Sequence, residues 1–303
     1  MTLDNWTPRV GRIVLLEIFK LTFFTIAVAS EVHHPCYPGT LFLRFLDISK
    51  TMLLIIASLL YWVFVVVTSI LAFPVAVLIK LMTQFFDKRL IVLHRFTCLW
   101  ASLYTWFNPF WSVRISGKEN IKKNEAYVFV CNHQSVADIF VLFRLFVHFK
   151  WVSKIENFRI PIVGWNMRMN RYIKLIRSSI KSQAKMMKDC QKTLAEGNSV
   201  MIFPEGTRTL TGRLRPFKTG AFQLAIRAKC SIVPIVLNGS SKALPKAGII
   251  LGGKHPIDIH VLAPIPYSSF GQMEAKQLTK EVQSVISAEL EKMKVTHQNP
   301  PVA

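Results

Sequence analysis

Tyr127-Val128-Phe129-Val130-Cys131-Asn132-His133-Gln134-Ser135-Val136-Ala137-Asp138 opens with five apolar residues, turns through a polar tetrad and leads into a helical pattern over 136–147. An unbroken apolar run of this length reads as a strand covered on both faces. Asn132 and Ser135 are side chains that cap helix starts. Similar runs recur at 149–153, 199–203, 232–237 and 257–262, and the first begins near 126. Helical patterns near 178–196 and 217–229 fall between them, and a last one covers 273–294. This alternation predicts an α/β fold, a largely parallel sheet flanked by helices. In such sheets the functional loops lie at the carboxyl ends of strands, where this polar tetrad sits.

Ahead of the α/β texture, residues 51–79 contain no charged side chain. About 20 apolar residues span a bilayer as a helix. Pro74 lies inside the run and is expected to kink or break the helix, so a tilted span and a helix that dips and returns are both compatible with it. A weaker apolar stretch at 13–29 reads as a second span or an interfacial helix rather than a signal peptide. The organisation expected is an N-terminal membrane-anchoring helical region over 1–89, an α/β domain over 90–295 and a disordered tail over 296–303. The flank after 51–79 carries Lys80, Lys88 and Arg89, which places the later domain on the cytosolic side of the membrane by the positive-inside rule.

The chain is both apolar and basic. Its 303 residues have a mean hydropathy of +0.33 and a net charge of +21. The basic excess peaks in 150–230, with 17 Lys/Arg against 4 Asp/Glu. The combination points to an anionic phospholipid membrane and anionic ligands as partners. Nucleic acid is set aside, because no nucleic-acid-binding module is recognisable. The five cysteines are widely spaced, without a CxxC or a metal-type cluster, so reduced thiols and no metal are expected. His33-His34 beside Cys36 reads as a plain loop.

His133 and Asp138 could form a proton-moving pair, with the carboxylate fixing the imidazole tautomer. Five positions on an ideal helix amount to about 500°, so the two would not share a helical face. They can meet only if His133 lies on the turn and Asp138 in the first helical turn. Taken alone, a capping loop with an incidental histidine is the simpler account. A second constellation reverses that judgement. Phe203-Pro204-Glu205-Gly206-Thr207-Arg208 follows the strand-like run Ser199–Ile202. Pro204 stops the strand, Gly206 permits a turn, and Arg208 with backbone donors could grip a phosphate.

Asn132-His133-x-Ser135-x-x-Asp138, followed some way on by Phe203-Pro204-Glu205-Gly206-Thr207-Arg208, resembles the glycerolipid acyltransferases. The similarity is greatest to the type that acylates 1-acyl-sn-glycerol-3-phosphate, and it covers roughly residues 90–265. Lys154-Ile155-Glu156 with Pro161-x-x-Gly164 and the block Ile232-Val233-Pro234-Ile235-Val236 also fit. The resemblance implies His133 as general base on a lipid hydroxyl and Asp138 as its orienting carboxylate. It implies that Arg208, with Glu205, Gly206 and Thr207, binds the acceptor phosphate, and that Arg177 and Lys154 are further phosphate contacts. The implied acceptor is lysophosphatidate, acylated at its sn-2 hydroxyl to phosphatidate. The implied donor is acyl-CoA or acyl carrier protein, used as co-substrate with no further cofactor. One departure bears on the acceptor: where the family typically has Ile-Asp-Arg, this chain reads Leu175-Ile176-Arg177. Glycerol-3-phosphate or another lysophospholipid is the alternative acceptor. A non-catalytic lipid-binding protein is the reading from another class.

Lys181, Lys185, Lys188 and Lys192 follow the 4-3-4 spacing of one helix face. Ile180, Ala184, Met187 and Leu194 recur on another. The stripe reads either as a solvated helix face or as a surface for anionic headgroups.

Overall fold

The computed structural model of the protein describes residues 38–209, 213–245 and 250–298. The apolar stretch 13–29, His33-His34-Cys36 and residues 299–303 of the expected tail lie outside them. Two compact units divide the chain, Met1–Leu53 and Leu54–Ala303. The division falls within the first described helix, α1 (Pro38–Thr83), so most of the apolar run belongs to the same unit as the sheet. This helix is followed by α2 (Ile91–Trp106), β1 (Trp111–Ser116), β2 (Val128–Cys131), α3 (Ala137–Phe143) and β3 (Phe149–Lys154). Next come α4 (Val163–Met169), β4 (Ile173–Leu175), α5 (Ile180–Ala195), β5 (Ser199–Ile202), α6 (Gly220–Ala228) and β6 (Ile232–Asn238). The chain closes with α7 (Ser240–Ala243), β7 (His255–Val261), α8 (Tyr267–Phe270) and α9 (Ala275–Gln298). Helix α9 runs through 296–298, so the C-terminal segment is helical further than its polar composition suggested.

The seven strands form one sheet in the order β1-β7-β6-β2-β5-β3-β4. All neighbours are parallel except β6 and β7. The sheet is therefore largely parallel, as expected, with β1 and β7 running against the other five strands. All five expected strands are present. Two are additional: β1, whose Trp111, Val113 and Ile115 alternate with more exposed residues, and β4, only three residues long. Strand β2 is central, pairing β5 through Val128↔Val200 and β6 through Val128↔Ile232.

The unbroken apolar run of β2 follows from burial on both sides. Phe129 and Cys131 join a core with α2, α3 and part of α1. Val128 and Val130 join another with residues of α5, α6 and α9. Full burial of each such large apolar side chain contributes about 1.5–3 kcal/mol.

Helix α1 packs on the domain through one face. Tyr61 and Ala76 are buried. The Tyr61 hydroxyl donates to the Tyr104 carbonyl at 3.0 Å, and Ser69 Oγ lies 2.8 Å from the Tyr104 hydroxyl. Ser58 Oγ accepts from the Leu251 amide at 2.9 Å. The other side leaves Leu60, Val63, Val67, Ile70, Leu71 and Leu78 exposed. Over Ile48–Thr83 this helix is long and apolar enough to cross a membrane, with a mean hydropathy of 2.6 in its most apolar window. The expected break at Pro74 does not occur, and the helix continues through it. Proline removes one backbone hydrogen bond there, while the turns on either side stay bonded and packed.

Candidate active site

Strand β2 ends at Cys131, and the next four residues form the turn that leads to α3. Asn132 fixes its start. Its side chain donates to the Leu237 carbonyl at 2.9 Å and accepts from the Leu237 amide at 2.8 Å, stapling β2 to β6. Ser135 fixes its end, donating through Oγ to the Leu244 carbonyl and accepting from the Ala137 amide at 3.2 Å. This places Asp138 in the first turn of α3, fully buried. Its Oδ2 lies 2.8 Å from His133 Nδ1 and also accepts from the amides of Gln134 and Ser135, at 2.6 and 2.9 Å. A carboxylate held by two amides is an acceptor, so Nδ1 of the neutral ring carries the proton and Nε2 is left as the base. The turn-plus-first-helical-turn arrangement is the one the spacing demanded. His133 retains 15% side-chain exposure, so the ring is within reach of a ligand.

The loop after β5 lies beside this pair because β5 is the parallel neighbour of β2. The Thr209 amide donates to the His133 carbonyl at 3.0 Å. Phe203 stacks on the His133 ring, with centroids 4.0 Å apart and planes 10° apart, and Trp151 stacks behind Phe203 at 5.4 Å. Glu205 is buried. One carboxylate oxygen accepts from the His133 amide at 2.6 Å and the other from the Arg215 amide at 2.9 Å. Both oxygens are therefore engaged with backbone, and Glu205 ties the two loops together rather than offering itself to a phosphate, which its charge would repel. Burial pushes its pKa up, and the two amides pull against that shift. Gly206 takes φ +71°, a left-handed conformation that glycine adopts without strain. Thr207 and Arg208 are half-buried. Burial lowers the Arg208 pKa, and the nearby Asp138 charge opposes that effect.

Lys154 closes β3 and Arg177 follows β4, so both stand on the carboxyl edge that carries His133 and Arg208. Strands are spaced about 4.8 Å apart, which puts the end of β4 some 14 Å from that of β2. Lys154 is ion-paired with Glu156 at 3.1 Å. Arg177 is exposed, and so is Ile176. The structure thus brings together His133, Asp138 and the 203–209 loop, and sets Lys154 and Arg177 further along the edge. Gly164 is required by a close approach: a Cβ there would fall 2.3 Å from the Phe158 carbonyl oxygen. Among the described residues no three His, Cys, Asp or Glu side chains converge as a metal-ligand group. Phe203, Trp151 and Arg215 were not identified as partners of the site from sequence. Trp151 and Arg215 act through stacking and a main-chain amide, which leave no local signature.

Residues 112–238 match the family model described as Acyltransferase. The chain is 40% identical over 183 residues to a 1-acyl-sn-glycerol-3-phosphate acyltransferase of Chlamydomonas reinhardtii, covering 59% of this chain and 54% of that protein. A chloroplastic enzyme of the same name from Arabidopsis thaliana is 39% identical over 201 residues, covering 65% and 54%. This chain spans about half the length of those two relatives. A 1-acyl-sn-glycerol-3-phosphate acyltransferase of Borreliella burgdorferi is 31% identical over 182 residues, covering 60% of this chain and 72% of that protein.

The chain belongs to the acyltransferase family.

The crystal structure of the 1-acyl-sn-glycerophosphate acyltransferase from Thermotoga maritima has the same fold, with a TM-score of 0.59 at 20% identity over 77% of this chain and 98% of that one. In this chain the matched region begins in β1 and ends with β6. It therefore contains the His133 turn, the Glu205–Arg208 loop and every strand between them.

Proposed function

We propose that the protein transfers a fatty acyl group from a thioester donor to the sn-2 hydroxyl of lysophosphatidate, forming phosphatidate in phospholipid biosynthesis. The observation that carries this reading is the His133 Nδ1–Asp138 Oδ2 contact of 2.8 Å beside the Arg208 loop, which is bonded to the His133 carbonyl through Thr209. It couples a base to a cation on adjacent strands. Nε2 of His133 takes the proton of the acceptor hydroxyl as its oxygen attacks the thioester carbonyl. The new C–O bond forms, the C–S bond breaks, and the leaving thiolate can take that proton back from the imidazolium. Asp138 holds the tautomer and stabilises the imidazolium. No serine or cysteine of the protein need be acylated. Arg208 binds the acceptor phosphate as a planar donor fork, on a turn shaped by Gly206 and Thr207, with Lys154 and Arg177 as outer cations. The donor is acyl-CoA or acyl carrier protein, both anionic and suited to the basic 150–230 region. The domain faces the cytosol on an anionic membrane, attached through α1. The relatives named for acylation of 1-acyl-sn-glycerol-3-phosphate support this acceptor. Ile176 favours testing glycerol-3-phosphate and other lysophospholipids beside it.

The purified protein should acylate lysophosphatidate, and His133→Ala should lower kcat by about 10²–10⁴-fold. Full activity of the alanine variant would refute the general-base assignment. Preference for another acceptor would change the acceptor and leave the chemistry standing.

A further inference from the structure

We infer that Lys218 is a second cation of the acceptor-phosphate site and that it tunes the site to a phosphate monoester over a diester; this rests on the reading above. Lys218 lies across the turn that carries Arg208. A Cβ placed on Gly206 would be 3.1 Å from Lys218 Cε and 3.3 Å from its Nζ, so the ammonium rests on the bare face of the glycine two residues before Arg208. The lysine backbone is fixed there. Its amide donates to the Pro204 carbonyl at 2.9 Å, and the preceding Phe217 amide donates to Gln283 Oε1 at 3.0 Å. The side chain itself is exposed and had room to extend into water.

No acidic side chain among the described residues is paired with Lys218. Between Glu196 and Asp258 the sequence contains a single acid, Glu205. Both of its carboxylate oxygens already accept backbone amides. The same segment holds Arg208, Arg213 and Arg215. Lys218 and Arg208 thus share one turn, and an anion bound on it would give the lysine the acidic partner it lacks among the described residues. The two groups divide the work by shape. A guanidinium grips two phosphate oxygens in plane, and an ammonium is a compact point charge for a third. A monoester loses its second proton near pH 6 and carries close to two negative charges at pH 7. A diester carries one. The second cation therefore adds most for the monoester.

The test compares wild type, Lys218→Gln and Lys218→Arg, in turnover and in binding. Binding is titrated in a His133→Ala background, with lysophosphatidate as the monoester probe and lysophosphatidylcholine as the diester probe. At pH 8, Lys218→Gln should raise KM and the dissociation constant for lysophosphatidate about tenfold, a change worth 1.4 kcal/mol, and leave kcat within about twofold. Lys218→Arg should restore both, and the diester should hardly respond. Lowering the pH through about 6 should weaken monoester binding by wild type and flatten the difference from Lys218→Gln. Equal affinity of wild type and Lys218→Gln for lysophosphatidate, or an equal loss for both probes, would overturn the inference. Acylation of lysophosphatidate with no Lys218 dependence would sink the inference alone. Lys218-dependent binding without turnover would sink the proposed reaction and leave the inference in place.

Discussion

Phe203 and Glu205 flank one bend of chain and act on His133 in different ways. Phe203 covers one face of the imidazole and is backed by Trp151, so the ring has one plane available and Nδ1 stays aimed at Asp138. Phe203→Ala uncovers that face to water and frees the ring to rotate. We expect kcat to fall by roughly tenfold or more, as misplacement of a general base does, with a shifted pH–rate profile. Phe203→Tyr should keep both near wild type. A profile unchanged in the alanine variant would show that the stack does not position the base. Glu205 holds two amides from separate loops. Glu205→Gln can satisfy only one with its oxygen and turns an NH₂ towards the other. The expected loss of stability is about 1–3 kcal/mol, read as a lower denaturant midpoint with unchanged slope. The motif carrying these residues was legible as a unit from its order and spacing. The separate duty of Glu205 was not, because the amides it meets lie 72 and 10 positions away in sequence.

Among the elements, α1 and α5 show how far pattern alone reaches. The charge-free run of α1 was evident, but its attachment face was not, because apolar residues occur all round the helix. That face is marked by hydroxyls, with the Tyr104 side chain bonded to Ser69 and accepting from the indole N–H of Trp100. Tyr104→Phe removes these contacts while keeping the ring. It should lower stability by about 1–2 kcal/mol, detectable as a reduced melting temperature. For α5 the structure corrects the expected apolar face. Ile180 is 85% exposed and Ala184 is exposed, whereas Met186, Met187, Cys190 and Leu194 face the sheet. Ser179 caps the helix by accepting from the Ser182 amide, so Ile180 lies in the first turn, beyond the packed surface. The lysine stripe is exposed, and Lys185 and Lys192 are paired with Asp189 and Glu196. Two of its four charges are thus partly neutralised. Changing all four to Gln should weaken binding to anionic vesicles at low salt, and the difference should fade as salt is raised. Equal binding at low salt would assign the stripe to solvent.

Across the whole molecule, a buried basic cluster makes stability depend on pH. His148 donates through Nε2 to Asn198 Oδ1, and burial lowers its pKa to about 4. Lys150 donates to the Arg89 carbonyl at 2.9 Å, and burial lowers its pKa to about 7. Both are bases that the folded state protonates less readily than the unfolded chain, so stability rises with pH between the folded and unfolded pKa values. For His148 that window runs from about 4 to the ordinary histidine value near 6.5, and for Lys150 from about 7 to near 10.4. Denaturant titrations should show stability falling as pH drops through the lower window, by up to about 3 kcal/mol. His148→Gln should reduce the slope of that limb, to which the adjacent buried His94, its pKa also lowered by burial, contributes as well, and Lys150→Met should flatten the upper limb. The strand-forming runs, the apolar helix, the reactive pair and the arginine turn are all written locally, because burial on both faces, membrane-length hydropathy and turn chemistry each leave a short-range pattern. Strand order is not local. Placing β5 beside β2, pairing β1 with β7 and turning β7 against β6 depend on contacts between segments far apart in the chain. Those contacts bring the Arg208 turn to His133, stack Phe203 on the ring, engage Glu205 with two backbone amides and lay Lys218 on Gly206. Residue types and spacing set which chemistry was available, and long-range pairing set which atoms meet to carry it out.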